Sequence, residues 1–191
     1  MGKSYNVGAE FSLRGALLER PGLVHVYTGN GKGKTTAAFG LAIRTWGHGG
    51  RACIVQFMKC GENYGEVKAV KRLPGIVLRQ FGREGFVIKG KHSQEDMELA
   101  RKALAFSAEA LYSGEYDLVV MDEVCVALDF GLVEISEVLK AIDSRSQRTE
   151  VVLTGINAPK EIIERADLVT EMRMVKHPYE SGISAREMIE Y

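Results

Sequence analysis

The sequence predicts an α/β fold in which a mainly parallel sheet is covered by helices on both faces. Two observations predict it: short apolar runs alternate with longer segments of helical period, and most of those runs are too continuously apolar for a sheet with one wet face. In chain order, residues 23–27 form the first strand, 34–46 a helix, and 52–57 and 76–81 two further strands. Ser93, with Asp96 three residues later, opens a longer helix through a capping box. Along it Met97, Ala100, Leu104, Ala108 and Leu111 recur at offsets of three and four, and Gly114 ends the run. Residues 118–121 and 151–153 are strands, with Ile135, Val138, Leu139 and Ile142 as the apolar stripe of a helix between them. Pro159 suits the first turn of one more helix, and 168–174 is the last strand. Residues 1–22 show weak periodicity and end at a Pro-Gly boundary, so an N-terminal arm, free to move, is expected before one domain over 23–191.

Composition narrows the function classes. The 191 residues are 46% hydrophobic and 26% charged, the make-up of one ordinary folded domain. Lys plus Arg and Asp plus Glu stand at 25 each, so no overall basic field draws the chain to nucleic acid or an anionic membrane. No stretch approaches the roughly 18 to 20 apolar residues that span a bilayer. Cys53, Cys60 and Cys125 form no CxxC pair, which argues against a disulfide framework or a zinc cage and for the reducing cytoplasm. His25, His48, His92 and His177 lack metal-site spacing.

The first strand runs directly into Thr28-Gly29-Asn30-Gly31-Lys32-Gly33-Lys34-Thr35-Thr36 and then a helix. Three glycines let a backbone curl until its amides converge on phosphate oxygens, and the helix N-terminus adds positive potential. Lys34 supplies a full charge, Lys32 a second, and Thr35 a hydroxyl for Mg²⁺. Against the pattern GxxxxGK[ST] the loop is a variant, since Thr28 stands where the first glycine belongs. Gly29 to Thr36 are therefore the expected ATP-binding residues: Gly29, Asn30, Gly31, Lys32, Gly33, Lys34, Thr35 and Thr36.

A partner acid follows another apolar strand, as Asp122 and Glu123 after Leu118-Val119-Val120-Met121. At the carboxyl edge of a sheet, their hard oxygens suit Mg²⁺. An acidic pair in this position is otherwise a helix cap. A loop of this kind serves hydrolases, kinases and other transferases alike, so the bond that breaks stays open at this point. An ATPase would use Glu123 to orient water.

The segments TGNGKGKTTAAFGLAIRTWGHG, IVQFMK, Gly85-Phe86, VVMDEV, LTGINAP and VKHPYESGISA together resemble the CobA-type ATP:corrinoid adenosyltransferases, from about Leu23 to the C-terminus. The resemblance implies a RecA-like P-loop fold and transfer of the 5′-deoxyadenosyl group of ATP to the Co(I) of a reduced corrinoid. The product is adenosylcobalamin or an adenosylated precursor, with release of triphosphate. It also implies that ATP lies with its ribose carbon toward the second substrate. Lys34, Thr35 and Glu123 become the expected catalytic residues, Thr35 with Glu123 or Asp122 the Mg²⁺ ligands, and Phe86 a neighbour of the corrinoid that excludes a lower axial ligand of cobalt. Ile88 is expected beside Phe86 in the corrinoid site: where family members can carry tryptophan two residues beyond that phenylalanine, it keeps apolar bulk without an aromatic face. A TGR segment of the family is here Thr154-Gly155-Ile156, so its arginine has no counterpart, and Asn157 is the substitute. Expected partners are a second copy of the chain and an electron-donating flavoprotein or reductase. The readings that compete are a P-loop ATPase and a nucleotide-dependent protein that binds and delivers corrinoid without turnover.

Overall fold

The computed structural model describes residues 21–191. Six strands form one sheet: β1 Val24–Thr28, β2 Ala52–Phe57, β3 Ile76–Phe81, β4 Leu118–Asp122, β5 Glu150–Thr154 and β6 Leu168–Glu171. Their order across the sheet is β3-β2-β4-β5-β1-β6, and every pairing is parallel. β5 thus separates the strand before the glycine loop from the strand that ends in the acids. The helices are α1 Lys34–Gly47, α2 Gly65–Val70, α3 Gln94–Ser113, α4 Val124–Asp129, α5 Ile135–Asp143 and α6 Lys160–Arg165, with a 3₁₀ turn at Pro178–Ser181. The arm expected over 1–22 lies outside the described residues except for Pro21 and Gly22.

Period-two alternation divides the strand side chains between two cores. On one face Val24, Val26, Val55, Phe57, Met121 and Leu153 pack with Ala103 and Leu111 of α3, Val138 and Ile142 of α5, and Ile162 of α6. On the other, Ile54, Val120 and Val152 meet Ala38, Phe39 and Ala42 of α1. β2 and β4 are buried at every position, as their mostly apolar sequences foretell. The edge strands are less covered: β3 buries only Ile76, and β6, shorter than the expected 168–174, has all four residues exposed.

Local signals hold where they were strongest. Ser93 accepts from the Asp96 backbone N–H and Asp96 reaches back to the Ser93 N–H, completing the capping box of α3, and Gly114 ends that helix at φ 67°. Pro159 stands at the N-cap of α6. α2 and α4 were not foreseen, because six residues are too few to show a period. Cys53 and Cys125 are buried, and burial pushes both thiols up to about 12, so they act as core residues. Among the described residues no helix is long and apolar enough to cross a membrane.

Leu153 is fully buried in the centre of the sheet. Leu153→Ala is expected to lower the unfolding free energy by ~2–5 kcal/mol, read from denaturant melts followed by far-UV circular dichroism.

Candidate active site

The glycine loop joins β1 to α1 at the carboxyl edge of the sheet. Gly29 (φ 93°) and Gly33 (φ 120°) occupy backbone conformations that side-chain-bearing residues rarely adopt. Gly31 serves a different purpose: a Cβ there would lie 2.8 Å from the backbone of Met172 and Arg173. Its N–H donates to Met172 O at 2.6 Å, and the Met174 N–H donates to Asn30 Oδ1 at 3.0 Å, so the chain beyond β6 is strapped against the loop. Lys34 Nζ donates to Gly29 O and Gly31 O, both at 2.7 Å, which holds its charge over the loop. Burial pushes this ammonium below its ordinary value and Lys59 adds to the shift, while Glu123 and Asp122 oppose it. Lys32 donates instead to Ile189 O at 2.9 Å and Glu190 Oε1 at 2.8 Å, while Thr36 is exposed on the first turn of α1.

Asp122 is fully buried, and four side chains donate to it. Thr35 Oγ1 (2.9 Å) and Thr154 Oγ1 (2.7 Å) donate to Oδ1, and Gln56 Nε2 (2.9 Å) and Lys59 Nζ (2.8 Å) to Oδ2. Burial alone raises a carboxyl, yet Lys59, Thr154 and Gln56 outweigh it and hold Asp122 below its ordinary range. Lys59 shows the converse: burial lowers it, Asp122 and Glu123 more than restore it, and the ammonium stays charged. Glu123 has a left-handed backbone (φ 65°), secured by its N–H donating to Thr154 Oγ1 at 2.9 Å. It stands at the N-cap of α4, but its side chain makes no capping bond; its carboxylate lies 3.6 Å from Lys59 Nζ. Burial pushes Glu123 up, with Asp122 adding to the shift and Lys59 and Lys34 opposing it.

These oxygens fit Mg²⁺ in a particular way. Among the described residues no group of three or more His, Cys, Asp or Glu is placed to hold a metal. Mg²⁺ bound alongside phosphates needs only one or two protein ligands. Thr35 gives its proton to Asp122, which turns the hydroxyl lone pairs toward a cation, here the Lys59 ammonium at 3.1 Å, and Glu123 lies 3.6 Å from that ammonium. Asp122, its oxygens already accepting four bonds, is better suited to orienting Thr35 than to binding directly.

Lys59 and Glu123 also line a cavity of about 1020 Å³, walled on its other sides by Phe86, Val87 and the C-terminal Glu190 and Tyr191. Phe86 is 94% exposed, which rules out a role as apolar anchor of its loop; Val87 packs against the core instead. Ile88, 58% exposed, falls outside the cavity lining. Both ends of this loop are clasped. Arg83 makes a bidentate bond to Asp96 (2.7 and 3.1 Å), and Lys89 donates to Asp129 at 2.7 Å, where Asn157 also donates at 3.3 Å.

The fold thus gathers Lys34, Thr35, Asp122 and Glu123 in one cluster and sets Phe86 across the adjoining cavity. Asn157 is spent on Asp129, and beyond β6 Lys176 is exposed and His177 half-buried. The sequence reading missed Lys59, Gln56 and Thr154. Gln56 carried a readable signal, as a polar residue inside an otherwise apolar buried strand.

The family model described as ATP:corrinoid adenosyltransferase BtuR/CobO/CobP matches residues 20–191. The chain is similar to the corrinoid adenosyltransferase of Pseudomonas aeruginosa, at 39% identity over 170 residues, 89% of this chain and 84% of that one. It is 37% identical over 175 residues to the corrinoid adenosyltransferase of a Sinorhizobium species, covering 91% of this chain and 82% of the relative. Against that of Escherichia coli K12 it is 35% identical over 170 residues, covering 89% and 86%.

The Arg83 hydrogen bonds, helped by Ser93 and opposed by burial, hold the Asp96 carboxyl at about 2 against an ordinary 3.8. A carboxyl with a depressed folded value stabilises fully above its unfolded value and loses that contribution as pH falls through the folded one. Asp96→Asn is therefore expected to destabilise at pH 7, with the gap to wild type closing between about pH 4 and pH 2, measured by urea unfolding across that range.

Proposed function

Because the chain belongs to the BtuR/CobO/CobP family of ATP:corrinoid adenosyltransferases, we propose that its glycine loop grips the triphosphate of ATP while the adjoining cavity holds the corrinoid, with the ribose 5′ carbon between them. It is a transferase that passes the adenosyl group of ATP to a reduced corrinoid. The Co(I) electron pair forms the cobalt–carbon bond, and the carbon–oxygen pair departs with triphosphate. One observation carries the assignment of sites: Lys59 and Glu123 belong both to the Thr35–Asp122 cluster and to the wall of the roughly 1020 Å³ cavity, so the two substrates meet at a single place.

Co(I) is itself a strong nucleophile, so no side chain has to attack and no base has to activate water. The protein's part is to align the reactants and to stabilise charge on the leaving triphosphate. The loop amides and Lys34 do this from a preset position, and Lys32 joins them on exchanging Glu190 for phosphate. When bound, Mg²⁺ supplies further positive charge there, held by Thr35 with Glu123 beside it and Asp122 behind. Asn30 and Thr36 complete the loop's polar rim. Phe86, exposed on the cavity wall, faces the corrinoid and keeps a lower ligand off cobalt, and Ile88 adds apolar bulk on the same loop. Residues 23–191 form the catalytic unit. The family resemblance supports a second copy of the chain and an electron-donating flavoprotein or reductase as partners. The three free cysteines support a cytoplasmic setting.

The deciding experiment is anaerobic incubation with ATP and chemically reduced cobalamin. Triphosphate and a light-sensitive cobalt–carbon absorbance are expected. ADP and phosphate formed without corrinoid would mean an ATPase, and saturable binding of both ligands with no spectral change a delivery protein.

Lys34→Ala is expected to lower kcat by about 100- to 1000-fold while corrinoid still binds, measured by single-turnover spectroscopy and cobalamin titration. Phe86→Ala is expected to slow turnover that starts from cob(II)alamin with a reductase far more than turnover from supplied Co(I), a contrast read by running both assays side by side.

A further inference from the structure

We propose that Lys59 is the resident counter-ion of the Asp122–Glu123 pair, and that the divalent cation accompanying ATP takes its place while the ammonium turns into the cavity. The proposal rests on reading the glycine loop as a nucleotide site and adds a role for a lysine that the loop motif does not contain.

Lys59 Nζ stands over the Thr35 and Glu123 oxygens that suit the metal and bonds Asp122 behind them. It lies 2.8 Å from Asp122 Oδ2, 3.1 Å from Thr35 Oγ1 and 3.6 Å from Glu123 Oε1. Thr35 Oγ1 donates its proton to Asp122 and accepts from Lys59, so the ammonium occupies a lone pair that a metal would use. Two cations on one set of oxygens repel strongly in a buried setting, and one of them must leave. Without either, a fully buried carboxylate and its neighbour would stand uncompensated, the costly arrangement for interior charge.

The backbone is shaped to put Lys59 there. Met58, just before it, has φ 55°, a strained value for a side-chain-bearing residue, and its N–H is fixed by donation to Phe81 O at 2.9 Å. Gly82 presses on the same turn: a Cβ at Gly82 would lie 2.5 Å from Lys59 N and from Met58 C. The side chain also has an exit, because it is one-quarter exposed on the cavity lining, toward the face that Phe86 shares.

Mn²⁺ is the probe, titrated into the full chain with no corrinoid and followed by the electron paramagnetic resonance signal of the free ion, for wild type, Lys59→Met and Lys59→Arg. Lys59→Met is expected to bind Mn²⁺ at least fivefold more tightly than wild type, and Lys59→Arg no more tightly than wild type. In chelator Lys59→Met is expected to melt below wild type, with Mn²⁺ raising its Tm by more; if the variant does not fold in chelator, Mn²⁺ must restore the fold. Equal or weaker Mn²⁺ binding by Lys59→Met, or no restoration by Mn²⁺, overturns the proposal. The comparison involves no turnover, so a wild type that fails to adenosylate cobalamin would sink the functional reading and leave this result standing.

Discussion

The site is organised around one buried charge. Asp122 lies at the end of a strand with no contact to solvent, and an interior carboxylate is tolerable only when its oxygens are fully engaged. The four donors come from the helix after the glycine loop, from β5, from β2 and from the turn beyond β2. Gln80 of β3 donates in turn to Gln56 at 2.9 Å, and Thr154 accepts from the Glu123 N–H while it donates to Asp122. A single network therefore runs from the edge strand β3 across the sheet to the first turn of α1, fixing the glycine loop relative to the acids.

Strained backbone gathers around this network. Met58 and Glu123 both adopt positive φ, and the backbone N–H of each donates a fixing hydrogen bond, to Phe81 O and Thr154 Oγ1 respectively. Met58 precedes Lys59, whose ammonium donates to the Thr35 hydroxyl at 3.1 Å, and the Glu123 carboxylate lies 3.6 Å from that ammonium. The loop with Phe86 works differently. Its two ends are clamped by Arg83–Asp96 and Lys89–Asp129, while the aromatic ring between them stays almost fully exposed, an arrangement suited to contact with a large apolar macrocycle.

The C-terminal segment closes the remaining side. From Met172 to Tyr191 the chain lies against the glycine loop through Gly31, Asn30 and Lys32, and its last two residues reach the cavity. Gly31 reads in sequence as a phosphate-cradling glycine. In the fold it is a point of close approach between two stretches of backbone, and the Lys32 ammonium faces a carboxylate of the chain's own tail.

By itself the sequence determined whatever depends on neighbours along the chain: the alternation of buried strands and amphipathic helices, the Ser93–Asp96 cap, the Gly114 stop, the glycine loop with Lys34 and Thr35, and the acidic pair after β4. The tertiary structure alone decided which acid is buried, that Phe86 and not Ile88 walls the cavity, and that Lys59, Gln56 and Thr154 converge on Asp122. The physical reason is distance: those three residues are separated from Asp122 by between 32 and 66 positions, and only the pairing of β2, β4 and β5 brings them within hydrogen-bond reach of it.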